Sequence, residues 1–513
     1  MARKKITLHK FDGGASDDQR VQSVRQVWEN DGFDLLNNVD SLKPMKDWVF
    51  QVDYDSESNI DWSTSSETSV FAYGSNHYTM TEDGSGNARP VKIDGLLSSS
   101  VTVTDPTTAV IGTPQGLRAG GEFLFRDRLW FVESTNNIGY YDLSIDEILH
   151  TEYSPNGSYV RKVPPILSPD RKSILWAFGN RVHEITYNPA ADTYSFSDSV
   201  LVTSDDITSL AVKGTRVMVA TYSDTDGSHV SPWQILEEDV DTSYYVSHDP
   251  VYAMAEEGGA FVAVTAKSED AIGINREDGS IEVFFLKGSG FEKYREFSEP
   301  ETGTDSSQGM RLTKLRGKVY FTGEQNVYGV GSRNSDYPTI VTKMASLKLD
   351  SSKYSGSQES DDHKIHRLFE AGGKVCVIGE FHTSSETKRG IFVMDADNDY
   401  YMRANVVTQK YRFGDIGETS QLVEVNLTLD STSPSGSDFA VFPRVDDVSK
   451  AAAVASDGGY ENLINKSKRH INGTNFDIGN EFYFDIKSYD GAEITEFSLE
   501  LAPRMTKFNQ YDG

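Results

Sequence analysis

The sequence predicts an all-β protein: a β-propeller of about seven blades followed by a C-terminal β-sandwich, with an extended N-terminal arm. Three observations predict it. Apolar residues arrive in bursts of about four to eight, separated by Gly, Ser, Asp and Asn, and helical stripes are almost absent. Tyr and Phe number 25 and 26, a composition suited to pleated, half-buried surfaces. A strand–turn–strand unit also recurs along the chain.

The recurring units occupy residues 69–80, 122–133, 173–185, 209–221, 254–266, 312–323 and 368–379. The first residues of their returning strands are His77, Leu129, Val182, Val217, Val262, Val319 and Val375. These anchors are separated on average by about 50 residues, the period of a propeller blade. The interval from Val182 to Val217 is short. Gly214-Thr215, Gly317-Lys318 and Gly373-Lys374 supply turn residues that tolerate positive φ. Further strand-like runs follow several hairpins, at 138–141, 327–330 and 390–394, giving four short strands per unit.

The two ends depart from this repeat. Residues 1–45 carry a basic tip (Arg3, Lys4, Lys5, Lys10) and the tract FDGGASDDQR, with no core of their own; they read as an arm that packs on something else. Residues 46–401 form the propeller. In 402–513, Val423, Val425, Leu427 and Leu429 alternate with polar residues, as do Phe482, Phe484 and Ile486, then Phe497, Leu499 and Leu501. Such strands suit a sandwich. Segment 430–438 reads as a polar loop and Ala451 to Ala455 as a short helix.

The 78 acidic residues outnumber the 49 basic ones, for a net charge of −29. A surface this acidic repels phosphates and anionic membranes, which argues against general nucleic-acid binding. The opening Met-Ala-Arg-Lys-Lys is followed by no apolar signal-peptide core, and no run reaches the roughly 18–20 apolar residues of a membrane span. The expectation is synthesis in the cytoplasm without membrane insertion.

Little in the sequence points to catalysis. The single cysteine, Cys376, lies in the strand-like run Lys374–Ile378 and reads as a small core hydrophobe. Asp395, Asp397 and Asp399 alternate in MDADNDYYM, a spacing that can wrap a hard cation. The turn glycine and bidentate Glu of a calcium loop are replaced by Tyr400 and Val406, so the segment reads as a solvated loop. Asp224, Asp226 and Gly227 read as a hairpin tip. Only His363 and His366 of the ten histidines are close in sequence, and no third ligand accompanies them. Phosphate-binding, dinucleotide and nucleophile-elbow motifs are absent from the sequence. No catalytic residue and no cofactor are assigned. Paired aromatics at Tyr140-Tyr141, Tyr244-Tyr245 and Tyr400-Tyr401 offer rings for stacking on sugars or proteins, though alternation in a strand sends half of them into the core.

The N-terminal tract Phe11-Asp12-Gly13-Gly14-Ala15-Ser16-Asp17-Asp18-Gln19-Arg20 resembles the opening of a family of tailed-bacteriophage virion proteins. These begin with an F-x-G-G segment and an acidic, Arg-containing tract, continue into a propeller and end in a β-sandwich. The segment 410–415 (KYRFGD), the strand-like run 422–429 and the final 493–504 are similar to that family's C-terminal part. Motif identity covers about 40 residues, and the order of parts covers nearly the whole chain. The resemblance implies a non-enzymatic virion component, similar to tail nozzle, hub or tail-tip proteins. Its implied partners are copies of itself in a cyclic ring and other tail or connector proteins, with double-stranded DNA passing transiently. It also implies that Phe11, Gly13, Gly14 and Arg20 are arm contact residues. Two other functions fit a propeller: a receptor- or carbohydrate-binding fibre module, and a glycoside hydrolase or lyase with an acid pair in its funnel.

Overall fold

In the computed structural model the described residues are 4–8, 11, 26–38, 40–159, 163–235, 240, 242–257, 259–266, 279–299, 312–331, 339–349, 355–356, 363–395, 397, 400–412, 419–430, 433, 438–450, 454–455, 467–471 and 478–503. Among them the strands form nine sheets, and the fold is all-β and β-propeller-like.

Seven sheets succeed one another along the chain, their strands paired in simple up-and-down order. The first contains Phe71–Tyr73, Asn76–Glu82, Ala88–Asp94 and Thr102–Thr104. The second contains Leu117–Phe125, Arg128–Glu133, Ile138–Asp142 and Glu147–Tyr153, with Ala109–Ile111 added in parallel at its outer edge. The third runs through Ile166–Leu167, Ser173–Phe178, Arg181–Asn188 and Thr193–Val202. Asp206–Lys213, Arg216–Ser223, Gly227–Trp233 and Tyr244–Ser247 make the fourth. The fifth is Val251–Glu257, Ala260–Ala266, Gly279–Lys287 and Gly290–Glu299. The sixth is Leu312–Leu315, Lys318–Thr322, Asn326–Gly331 and Ile340–Ser346. Lys364–Ala371, Lys374–His382 and Thr387–Val393 form the seventh, whose fourth strand is Val49–Asp53 from far upstream.

The short interval between the third and fourth repeat units has a local cause. In six units the expected hairpin is the first and second strand of its sheet, but 173–185 holds the second and third. The true first strand is only the dipeptide Ile166–Leu167, because Pro164 and Pro165 precede it and offer no N–H for a ladder. The periodicity therefore slipped by one strand at this unit.

Contacts divide the chain into two compact units. One comprises 48–327 and 347–394; the other comprises 1–47, 328–346 and 395–513. In the first, apolar clusters join the faces of successive sheets. Tyr78 and Met80 pack with Leu129 and Phe131, Trp130 and Val132 with Trp176 and Phe178, Leu175 and Val182 with Val217 and Trp233, and Met218 and Val230 with Met254 and Phe261. The seventh sheet returns to the beginning: Arg367 Nε donates to the Glu67 carbonyl at 2.5 Å. Gly390 makes the closing strand possible. A Cβ there would lie 1.9 Å from the Val52 carbonyl oxygen, and its φ of +149° is open to glycine.

In the second unit two sheets enclose one core. The first pairs Lys4–Leu8 with Ile494–Pro503, then Ser420–Leu429, then Ser467–Ile471. The second pairs Val27–Asp31 with Ala404–Thr408, then Phe482–Ser488, then Phe439–Val445. Ile6, Leu8, Phe11, Val27 and Phe33 share this core with Val425, Leu427, Phe484, Phe497, Leu499 and Leu501. The N-terminal residues expected as an arm thus supply a strand to each sheet.

Two expectations for residues 402–513 shift locally. A bulge between Leu422 and Glu424 changes the phase of that strand, so Leu422 is buried and Val423 only half-buried. Val454–Ala455 pairs with Val441 and Ala440 as a strand rather than a helix, and 451–453 lie outside the described residues.

Candidate functional site

The residues singled out in the sequence fall in separate places. Phe11 is fully buried in the two-sheet core, while Gly13, Gly14 and Arg20 lie outside the described residues. Asp395 sits at φ +48°, and its Oδ1 accepts the Lys46 backbone N–H at 2.7 Å, so it ties its turn to a backbone group far upstream. Asp397 is exposed and Asp399 lies outside the described residues. Among the described residues no cluster of three or more His, Cys, Asp or Glu is placed to hold a metal ion.

His363 and His366 diverge. His363 is buried and stacks on Phe381 at 4.5 Å. His366 Nε2 lies 2.9 Å from Glu380 Oε1. The other oxygen of Glu380 accepts from Arg389 Nε at 3.1 Å and lies 3.4 Å from His382 Nε2. Burial by itself would push this carboxyl up, but the hydrogen bonds and charges of His366 and Arg389 outweigh it and hold it at about 2. Cys376 is buried, and burial raises its thiol well above the usual range, as befits an inert core residue.

Two further ionisable groups are fully enclosed where the first, second and seventh sheets meet. Glu122 accepts N–H bonds from Gly120 at 2.9 Å and Ser69 at 3.1 Å. Arg367, within electrostatic reach, is 1% exposed. Burial raises the Glu122 carboxyl and lowers the Arg367 guanidinium to about 10, with each opposing the other's shift. This placement suits a structural tie between sheets.

Of the three aromatic pairs, Tyr140-Tyr141 separates as alternation requires, whereas Tyr244 and Tyr401 are half-buried and Tyr245 and Tyr400 exposed, so neither of those pairs sends a ring into the core. Tyr141 is buried and donates to Asp146 at 2.5 Å, while Tyr140 lies against Trp130 with Arg128 4.1 Å from its ring centre. Tyr401 carries the Lys46 ammonium 3.7 Å above its ring, and Tyr400 is exposed. Tyr245 is different. It is 46% exposed, yet two imidazoles hold its ring: His229 at 5.6 Å and 72°, and His248 at 5.7 Å and 71°.

The local backbone explains how these three rings meet. Tyr245 pairs across the strand with His229, and a register shift before Ser247 leaves Val246 as the extra residue. Val246 and Ser247 turn inward, and Tyr245 and His248 remain outside. Gly227, at the predicted hairpin tip, has φ +75°; a Cβ there would sit 2.5 Å from the Ser247 oxygen and 3.0 Å from the His248 Cα. Ser247 donates to Glu282 at 3.2 Å, and Lys293 donates to the other Glu282 oxygen at 2.6 Å. The sequence offered Tyr245 but not its partners, since strands 227–233 and 244–247 are joined by a long connection that hides their register.

No family model matches this sequence, and no curated protein matches it. Many solved structures are similar at low identity, among them the following three. The N-terminal domain of Nup159 is 11% identical, with 74% of this chain and 98% of that chain covered and a TM-score of 0.41. The computationally designed Ika8 protein is 10% identical over 70% of this chain and 100% of its own, with a TM-score of 0.37. Hsv2 of Kluyveromyces lactis is 8% identical over 54% of this chain and 84% of its own, with a TM-score of 0.33.

Proposed function

We propose that this chain is a structural subunit of a tailed-bacteriophage virion, located in the tail and built as a seven-bladed β-propeller with a terminal β-sandwich. The order of parts carries the reading. An F-x-G-G opening is followed by seven successive four- or five-stranded sheets, then by two sheets that draw the opening strands and the closing strands into one core. Each of the seven sheets is a blade, and the Val49–Asp53 strand fastens the ring by completing the last one. Such a ring leaves only short edges and presents loops at two faces. That makes it a rigid block for repeated assembly about a symmetry axis.

The role is mechanical: copies of the chain form a cyclic ring and bind other tail or connector proteins. The net charge of −29 suits a channel wall past which double-stranded DNA slides without sticking. Cryo-electron microscopy of virions from a phage carrying this gene tests the reading. Tail density fitting several symmetry-related copies is the expected result. Mature particles lacking the chain would overturn it. A tight complex of purified protein with duplex DNA at physiological salt would sink the channel role alone.

A further inference from the structure

We infer that Tyr245, with His229 and His248, forms a surface platform for an uncharged pyranose sugar, a binding activity separate from any place in an assembly. A large aromatic side chain of this exposure at the rim of a sheet is ordinarily free to swing. This one is restrained by T-shaped contacts with both imidazoles, at 5.6 and 5.7 Å. Holding a ring still before the ligand arrives removes the ordering cost of binding. An exposed, fixed phenol ring presents a π-face to the C–H face of a sugar.

The surroundings favour a polyol over an ion. Glu282 is already engaged by the Ser247 hydroxyl and the Lys293 ammonium, so its carboxylate is not left seeking a cation. Lys293 is likewise occupied by Glu282 and by Glu296, each at 2.6 Å, and is not left seeking an anion. The two imidazoles bring ring nitrogens able to hydrogen-bond to hydroxyls beside the ring. Gly227 is the positioning residue: only a residue without a Cβ lets the chain carrying His248 pass this close.

Saturation-transfer difference NMR on the full chain tests this, with methyl glucopyranoside, methyl galactopyranoside and N-acetylglucosamine as probes and butylammonium as the cationic comparison. The expected result is transfer to the ring C–H protons of at least one sugar. It should disappear in Tyr245→Ala and persist in Tyr245→Phe. Titration of the responding sugar should show roughly tenfold weaker binding in His248→Ala. Tyr245→Ala removes an exposed ring, and an unchanged melting curve separates lost binding from lost fold. Transfer to none of the sugars, transfer that survives Tyr245→Ala, or binding of butylammonium alone would each overturn the proposal. None of these outcomes bears on the virion reading, which particle microscopy decides.

Discussion

Ile6 lies directly opposite Leu499 in an antiparallel ladder, so Lys4–Leu8 and Ile494–Pro503 are hydrogen-bonded neighbours. Both side chains are buried in the same core, with Leu8 and Phe11 beside them. The N-terminal segment is therefore an edge strand of a sheet whose other members come from the last hundred residues.

Placing a charge in this seam should unfold the unit locally. Ile6→Asp buries an uncompensated carboxylate and forfeits an apolar contact, a loss of about 3 kcal/mol or more. The expected result is a lower melting temperature and early proteolytic cleavage within residues 404–503. An exposed substitution, Lys5→Asp, on the same strand should change little.

Closure of the seventh sheet depends on Gly390. Its added Cβ would collide with the Val52 backbone, which cannot move away as a flexible side chain can. Gly390→Ala should therefore detach Val49–Asp53, with a loss of about 3 kcal/mol or more. Hydrogen exchange should show early labelling of 49–53, while the Lys364–Ala371 and Lys374–His382 strands stay protected.

Glu122 and Arg367 are both buried, within electrostatic reach of each other. Arg367→Met leaves the Glu122 carboxyl enclosed without its cation and should cost about 3–5 kcal/mol. Adding Glu122→Gln should recover part of that loss. Strict additivity of the two single changes in denaturant titrations would show that the pair is not coupled.

Glu380 gives the fold a specific acid sensitivity. Its folded pKa of about 2 lies below the ordinary value of 4.5, so its stabilising contribution is complete above about pH 4.5 and is lost as pH falls toward 2. Unfolding titrations across that window should show a steeper loss for the natural protein than for Glu380→Gln. The difference should be on the order of 2–3 kcal/mol. Parallel curves would rule out this carboxylate as the source.

Strand content, the repeated hairpins and the shared core side of Phe482, Phe484 and Ile486 were legible because each is set by residues close in sequence: alternating side-chain direction and local turn chemistry. The slip at 173–185 shows the limit of that locality, since two prolines shortened a strand without altering the apolar pattern around it. Likewise, Tyr245 stood out as an aromatic, but its contact with His248 arises from a bulge and the close passage at Gly227.

The sequence by itself determined the strands of the repeated hairpins and where they turn, because side-chain alternation and turn residues act over a few positions. Only the tertiary structure decided that Val49–Asp53 completes the seventh sheet and that Lys4–Leu8 pairs with Ile494–Pro503. A ladder's hydrogen bonds join backbone groups common to all residues, so partner choice across hundreds of positions is set by which apolar faces can be buried together.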